Sequence, residues 1–269
     1  MADGHIEFTG SIPKIYDQSL GPLLFHYYAN DLARRLTVEP PARVLEIACG
    51  TGISTEYLRA ALDERVEIVA TDLNDAMLDY ARDARGGLVG VRFEQADAMN
   101  LPFQSGEFDA ALCQFGVMFF PDKAKAVAEI ARVLKPGAML AINLWDSLQE
   151  NPAVRLAQEV IAQFFESDPP QFLNVPFGYH DIETIRGLLA GAGLKGITVE
   201  HVATTVERPS AREVAIGFVE GNPGVHEINE RATVGAKAVV DAVTEALVGE
   251  FGDDPIKVDL KAIVATGHI

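Results

Sequence analysis

The sequence predicts an α/β protein built on a doubly wound sheet of seven strands, mostly parallel, with an antiparallel last strand and a helical cap. Three observations carry this. The segment 44–52 reads V-L-E-I-A-C-G-T-G, in which Val44, Leu45 and Ile47 form an apolar run suited to a strand buried on both faces, broken by Gly50-Thr51-Gly52. From there to Leu144, short apolar runs alternate with segments of helical period, the pattern of βαβ units. At the far end Lys257, Asp259 and Lys261 alternate with apolar residues, as in a more exposed antiparallel strand.

In chain order, residues 1–10 read as a loose start. Ile15, Tyr16, Leu20, Leu23, Leu24, Phe25, Tyr27, Tyr28, Leu32 and Leu36 then suggest two helices split at Gly21-Pro22, an N-terminal helical lid over residues 1–40. Phe25, Tyr27 and Tyr28 are more aromatic surface than an ordinary helix exposes. They fit either packing on the sheet domain or a lid that brings Tyr16, and more weakly His26, to an active site. Pro40-Pro41 closes this region, and residues 41–145 form the core, with strands at 43–48, 67–71, 91–95, 108–114 and 139–144.

Residues 146–207 hold an amphipathic helix, a proline-rich aromatic segment with Phe172, Phe177, Tyr179 and His180, a helix capped by Asp181, and strand six over 194–207. A helical insertion over 208–255, broken at Gly221-Asn222-Pro223-Gly224, forms the rest of the cap. The last strand, within 256–269, completes the core sheet.

At 269 residues, 48% of them hydrophobic, the chain is long enough for a large core. The balance of 22 basic and 39 acidic residues gives a net charge of -17, which repels nucleic-acid backbones and anionic membranes. Cys49 and Cys113, the two cysteines, have neither disulfide nor zinc-site spacing, so free buried thiols and a reducing cytoplasm are expected, with no metal. No basic-then-apolar leader opens the sequence, and no apolar run approaches the ~20 residues of a membrane span.

The glycine turn lies at the carboxyl end of a strand, where open parallel sheets bind ligands. A dinucleotide fingerprint requires G-x-G-x-x-G, but Thr55 holds the third position and Glu46 stands four residues before the first glycine. A carboxylate there repels phosphate and suits a ligand bearing an ammonium or a sulfonium. Asp72 ends the second strand 20 residues after Gly52, placed to accept from ribose hydroxyls, although a strand-end acid also caps helices, a task open to Asn74 or Asp75. Met77 fits either as cover for the nucleoside or as core. Asp97 ends the third strand on the same rim, within Ala96-Asp97-Ala98.

The series E-I-A-C-G-T-G, T-D-L-N, A-D-A-M-N-L-P-F, F-D-A-A-L-C-Q-F-G-V and V-L-K-P-G-A resembles, in order and spacing, the class I S-adenosylmethionine-dependent methyltransferases, over roughly residues 40–145. It is most similar to the methyltransferase type 11 branch that includes the quinone C-methyltransferases. The resemblance implies a Rossmann-like core in which Glu46 faces the methionine end of the cofactor. Ala48, Cys49, Gly50, Thr51 and Gly52 would wrap it, Asp72 would hold the ribose, and Leu73 would lie against the adenine. Asp97 with Ala98 would read the adenine edge, and the Gln114 carbonyl would meet the amino group. One departure concerns the acceptor: the quinone enzymes continue F-G-x-R-N, whereas this chain reads F-G-V-M-F-F over 115–120.

Methyl transfer needs alignment and exclusion of water more than it needs a metal or a nucleophile triad. The expected reaction is therefore transfer from S-adenosylmethionine to a small apolar or aromatic acceptor, leaving S-adenosylhomocysteine. His180, Tyr16 and, weakly, His26 are the candidates for a base. The rivals are a non-catalytic cofactor-binding domain and an NAD-dependent oxidoreductase, the latter opposed by Thr55 and Glu46.

Overall fold

The computed structural model describes Phe8 and residues 10–269; the loose start expected over residues 1–10 lies, apart from Phe8 and Gly10, outside them. The chain divides into two compact units. One comprises Phe25–Ser147, Pro176–Val202 and Lys261–Ile269, the other the described residues of Met1–Leu24 with Leu148–Val175 and Ala203–Leu260.

The chain enters with α1 (Ile12–Ile15), then π-helical turns over Tyr16–Phe25, then α2 (His26–Arg35). The expected split at Gly21-Pro22 does not occur, and Pro22 lies inside the π-helical turns. A proline in an α-helix clashes with the carbonyl four residues back, and the wider i→i+5 turn relieves that clash.

Seven strands form one sheet: β1 (Ala42–Ile47), β2 (Val66–Asp72), β3 (Val91–Gln95), β4 (Phe108–Gln114), β5 (Leu134–Trp145), β6 (Lys195–Arg208) and β7 (Ile256–His268). Their order is β3-β2-β1-β4-β5-β7-β6. Strands β1 to β5 pair in parallel, and β7 runs antiparallel to β5. Across β6 and β7, Thr198 meets Thr266 and Thr205 meets Asp259, so residue number rises along one strand as it falls along the other, the antiparallel sense. β5 begins earlier than the expected 139, because Pro136-Gly137 is absorbed as an irregularity in its pairing with β4 between Phe108 and Ala110.

Helices α3 (Ile53–Ala61), α4 (Asp75–Arg85), α5 (Lys123–Val133) and α7 (Ile182–Gly191) flank the sheet, α6 lying elsewhere in the sequence at Pro152–Ala162. Alternate strand residues serve opposite faces. Leu45, Ile47, Ala111, Cys113, Leu140 and Ile142 pack with Val127 and Ile130 of α5 and Ile185 and Leu189 of α7. Val44, Ile68, Ala110 and Leu112 pack with Leu32 of α2 and Leu58 of α3. Both faces are buried, which is why β1 reads as an apolar run rather than an alternation.

The other unit is mainly helical, with α6, α8 (Ala211–Glu220), α9 (Gly224–Arg231) and α10 (Ala236–Phe251). Buried Asn222 makes the expected break: its Nδ2 donates to Phe218 O at 2.6 Å and its Oδ1 accepts from Gly224 N at 2.9 Å. Asp181 caps α7 by accepting from Thr184 N at 2.7 Å. Among the described residues no helix is long and apolar enough to cross a membrane.

Candidate active site

From β1 the chain winds outward through β2 and β3, and from β4 it winds the other way through β5, so the carboxyl ends of β1 and β4 form the switch point where such sheets bind ligands. The turn after β1 carries Ala48, Gly50 and Gly52 at φ 55°, 55° and 86°. The left-handed φ at Gly52 favours glycine, and a Cβ there would stand 2.9 Å from Arg85 Cδ, so that side chain would have to shift. Arg85 lies across this turn, and its Nη1 donates to Thr51 O at 2.9 Å.

Asp72 faces the turn directly. Its Oδ2 accepts from Gly50 N at 2.8 Å and its Oδ1 from Asn74 N at 2.9 Å. The helix cap belongs to Asn74, whose Oδ1 accepts from Met77 N at 3.1 Å, so the capping explanation of Asp72 falls away. The carboxylate keeps acceptor capacity for a further donor. Burial raises the Asp72 pKa, against the lowering effect of the Asn74, Gly50 and Leu73 amides.

Glu46 is fully buried. Ser54 Oγ donates to its Oε1, and Thr55 Oγ1 donates to its Oε2 at 2.6 Å. Its carboxylate thus acts on the turn through its field and through the start of α3. The two departures from a dinucleotide fingerprint, an acid on β1 and a threonine in place of the third glycine, are the two ends of one hydrogen bond. Burial pushes the Glu46 pKa up to about 7, the Ser54 and Thr55 hydroxyls opposing the shift.

Ala96 N donates to Asp72 O at 3.0 Å, joining the ends of β2 and β3. Next to it, half-buried Asp97 accepts from Met99 N at 2.8 Å, and Ala98 is buried. Leu73 is 51% exposed, an apolar surface open on this rim, and Met77 on the first turn of α4 is 4% exposed. Gln114 is buried at the end of β4, where its Nε2 donates to Phe25 O at 3.1 Å. Cys49 and Cys113 are free and buried. Burial raises both thiols, Cys113 to about 12, so neither serves as a nucleophile at neutral pH.

The loop after β4 closes against this turn. A Cβ on Gly116 would lie 2.6 Å from Ala48 Cβ and 2.8 Å from Cys113 Sγ. Gly116→Ala is expected to destabilise the protein by about 3 kcal/mol, the overpacking cost of a rigid site. A denaturant midpoint equal to that of the parent would show that the two loops part freely. Beyond it, the Phe115 ring stacks on Trp145 at 4.1 Å and 6°, and Trp145 stacks on Phe177 at 5.5 Å and 22°. His180 Nδ1 donates to Phe177 O at 2.8 Å. A carbonyl only accepts, so this bond places a proton on Nδ1 and, in the neutral tautomer, leaves the lone pair on Nε2 of the exposed ring. Tyr16 belongs to the helical unit, where it meets Phe8 edge to face at 5.7 Å. His26 meets Tyr57 at 5.8 Å at the start of α2.

An adenosyl cofactor demands acceptors, apolar surface and close backbone, and the one cation described at this turn, Arg85, is engaged by Thr51 O and Glu56. Space is open at the Gly50 Cβ position, and the buried Thr51 Oγ1 has no partner. With the Asp72 carboxylate and Leu73, these residues fit such a nucleoside. Among the described residues no group of three or more His, Cys, Asp or Glu side chains is placed to hold a metal ion.

Sheet order, glycine turn and strand-end acids together define a class I S-adenosylmethionine-dependent methyltransferase. A methyltransferase-domain family model matches residues 45–142. The chain is 34% identical to the ubiquinone/menaquinone biosynthesis C-methyltransferase UbiE of Idiomarina loihiensis, over 60% of this chain and 69% of that one. It is 33% identical to the UbiE of Azotobacter vinelandii, over 64% and 75%. In fold it is similar to the YcgJ protein of Bacillus subtilis, with a TM-score of 0.57 at 19% identity, covering 90% and 98% of the two chains. A phosphoethanolamine N-methyltransferase from Haemonchus contortus, solved with S-adenosylmethionine, gives 0.62 at 16% identity, covering 97% of this chain and 57% of that one. The chain belongs to the class I S-adenosylmethionine-dependent methyltransferase family and is an enzyme of that family.

Sequence reasoning missed Ser54, Arg85 and Trp145. Ser54 and Thr55 follow the glycine turn as a hydroxyl pair, a signal that could have been matched to the acid on β1; nothing local marks Arg85 or Trp145.

Proposed function

We infer that the acceptor is a small aromatic molecule of the quinol or phenol class, methylated in the cytoplasm without a metal. The observation that carries this reading is the ring series Phe115, Trp145 and Phe177, ending at His180 beside the loop that abuts the cofactor turn. The quinone-methylating relatives favour the same class. Buried Met118 and half-buried Phe119 stand where those enzymes continue with a polar pair, which favours a less polar acceptor than theirs.

Bound S-adenosylmethionine supplies an already activated methyl group. In this reading Asp72 and the 48–52 turn hold it, Leu73, Asp97 and Ala98 line its adenine, the Gln114 carbonyl takes its amino group, and Glu46 favours its positive charge. His180 accepts the acceptor proton on Nε2, Nδ1 being held by Phe177 O. Tyr16 is the second acceptor-side candidate. The N-terminal helices and the 208–255 insertion are assigned to acceptor choice.

Labelled S-adenosylmethionine with 1,4-naphthohydroquinone and with a simple phenol tests this, product mass spectra separating C- from O-methylation. His180→Ala is expected to lower kcat at least about a hundredfold, with the pH dependence of kcat flattened, as for loss of a general base. Tyr16→Phe, assayed alongside, tests the phenol. Unchanged turnover in His180→Ala would remove His180 from the mechanism.

A further inference from the structure

We propose that Asn143 is a positioning residue for methyl transfer, fixing through one hydrogen bond both the loop that abuts the cofactor turn and the first ring of the aromatic series. This rests on the reading that the cofactor sits at the 48–52 turn and the acceptor near the rings.

Asn143 is fully buried on β5, directly beside Gln114 of β4. Its Oδ1 accepts from Phe115 N at 2.9 Å, and its own carbonyl accepts from the same amide at 3.2 Å. Phe115 has φ 50°, a left-handed conformation in which an aromatic residue persists only when its surroundings hold it. The side-chain acceptor provides that hold. The consequences run both ways along the chain. Toward the cofactor, the following residue is Gly116, packed so closely on Ala48 and Cys113 that no Cβ fits. Toward the acceptor, the Phe115 ring lies flat on Trp145, which continues to Phe177, whose carbonyl holds His180. A shift of the Phe115 amide therefore moves the cofactor loop and the ring series together.

The choice of asparagine is informative, because its Nδ2 is buried without a partner, as is Gln114 Oε1. An unsatisfied buried donor opposes stability, so packing alone gives no reason for an amide here. What the side chain supplies is its acceptor oxygen, aimed at one amide.

Trp145 is the chain's single tryptophan, so its fluorescence reports on the ring series without any turnover. The test compares the protein with Asn143→Ala and Asn143→Asp, the latter keeping an acceptor oxygen and replacing the unpartnered Nδ2 by a second carboxyl oxygen. In folded Asn143→Ala, acrylamide quenching of Trp145 is expected to rise about threefold and S-adenosylhomocysteine affinity to fall about tenfold by calorimetry. Asn143→Asp is expected to recover most of both. A melting temperature lowered while quenching and affinity stay at parental values would make Asn143 merely structural and overturn the proposal. Equal loss of affinity in both variants would overturn it too, by removing the acceptor oxygen as the cause. The acceptor reading fails separately, if the parent protein binds S-adenosylhomocysteine yet methylates neither naphthohydroquinone nor phenol.

Discussion

Asp72→Ala is expected to weaken S-adenosylhomocysteine binding by about two orders of magnitude, roughly 3 kcal/mol, the worth of one or two charge-assisted hydrogen bonds to ribose hydroxyls. The carboxylate is already fixed by Gly50 N and Asn74 N, so it meets the ribose without further ordering. Asp72→Asn should fall between the parent and Asp72→Ala, because an amide cannot accept at both of its ends and would turn an N–H toward Gly50 or Asn74. The unliganded protein should lose less stability than binding energy, since burial of this carboxylate already opposes its charged form. Calorimetry on the three proteins decides the matter. A loss in Asp72→Ala of less than threefold would place the ribose elsewhere.

The second large effect is on stability and depends on pH. Glu46 has its pKa raised from the ordinary 4.5 to about 7 by burial, so the folded state favours the protonated acid. For a carboxyl shifted upward, the contribution is fully present below the unfolded pKa and is lost as pH rises through the folded one. Stability from this group therefore falls between about pH 4.5 and 7 and is level above, a change of about 3 kcal/mol at most. Glu46→Gln removes that dependence. Ser54 and Thr55 can each rotate a hydroxyl to donate to Oε1 or accept from Nε2, so the network survives the exchange. The variant should match the parent near pH 5 and be more stable near pH 8 in denaturant titrations. Its affinity for S-adenosylmethionine should fall and cease to rise with pH, because the cationic ligand loses a carboxylate whose ionisation it favours. A variant less stable than the parent at pH 8 would show that the ionised acid is stabilised locally.

Much of the sheet was legible, and for a physical reason. Strands β1, β2 and β4 are largely buried between helices, so each reads as a mostly apolar run, whereas β3 at the sheet edge, V-R-F-E-Q, is only partly buried. Asp72 and Asp97 stood out because charge at a strand end has no use in packing. The helical entry misled at Pro22, since local rules treat proline as a break whereas π-helical turns accommodate it. The strand-five boundary misled at Pro136-Gly137, a turn signal that pairing with β4 turned into an irregularity.

By itself the sequence determined the order of strands and helices, the glycine turn, the acids on the rim and the cofactor class, because these depend on residues close together in the chain and on hydrophobic period. Tertiary structure decided what those groups touch: that Glu46 is turned onto Ser54 and Thr55, that Asn143 holds Phe115, and that Phe115, Trp145 and Phe177 stack. The Glu46 contacts close within nine residues of chain, but those of Asn143 and of the rings join residues far apart in sequence. The contact of Asn143 with Phe115 is set by where β4 and β5 lie side by side, a relation that no local period or spacing records.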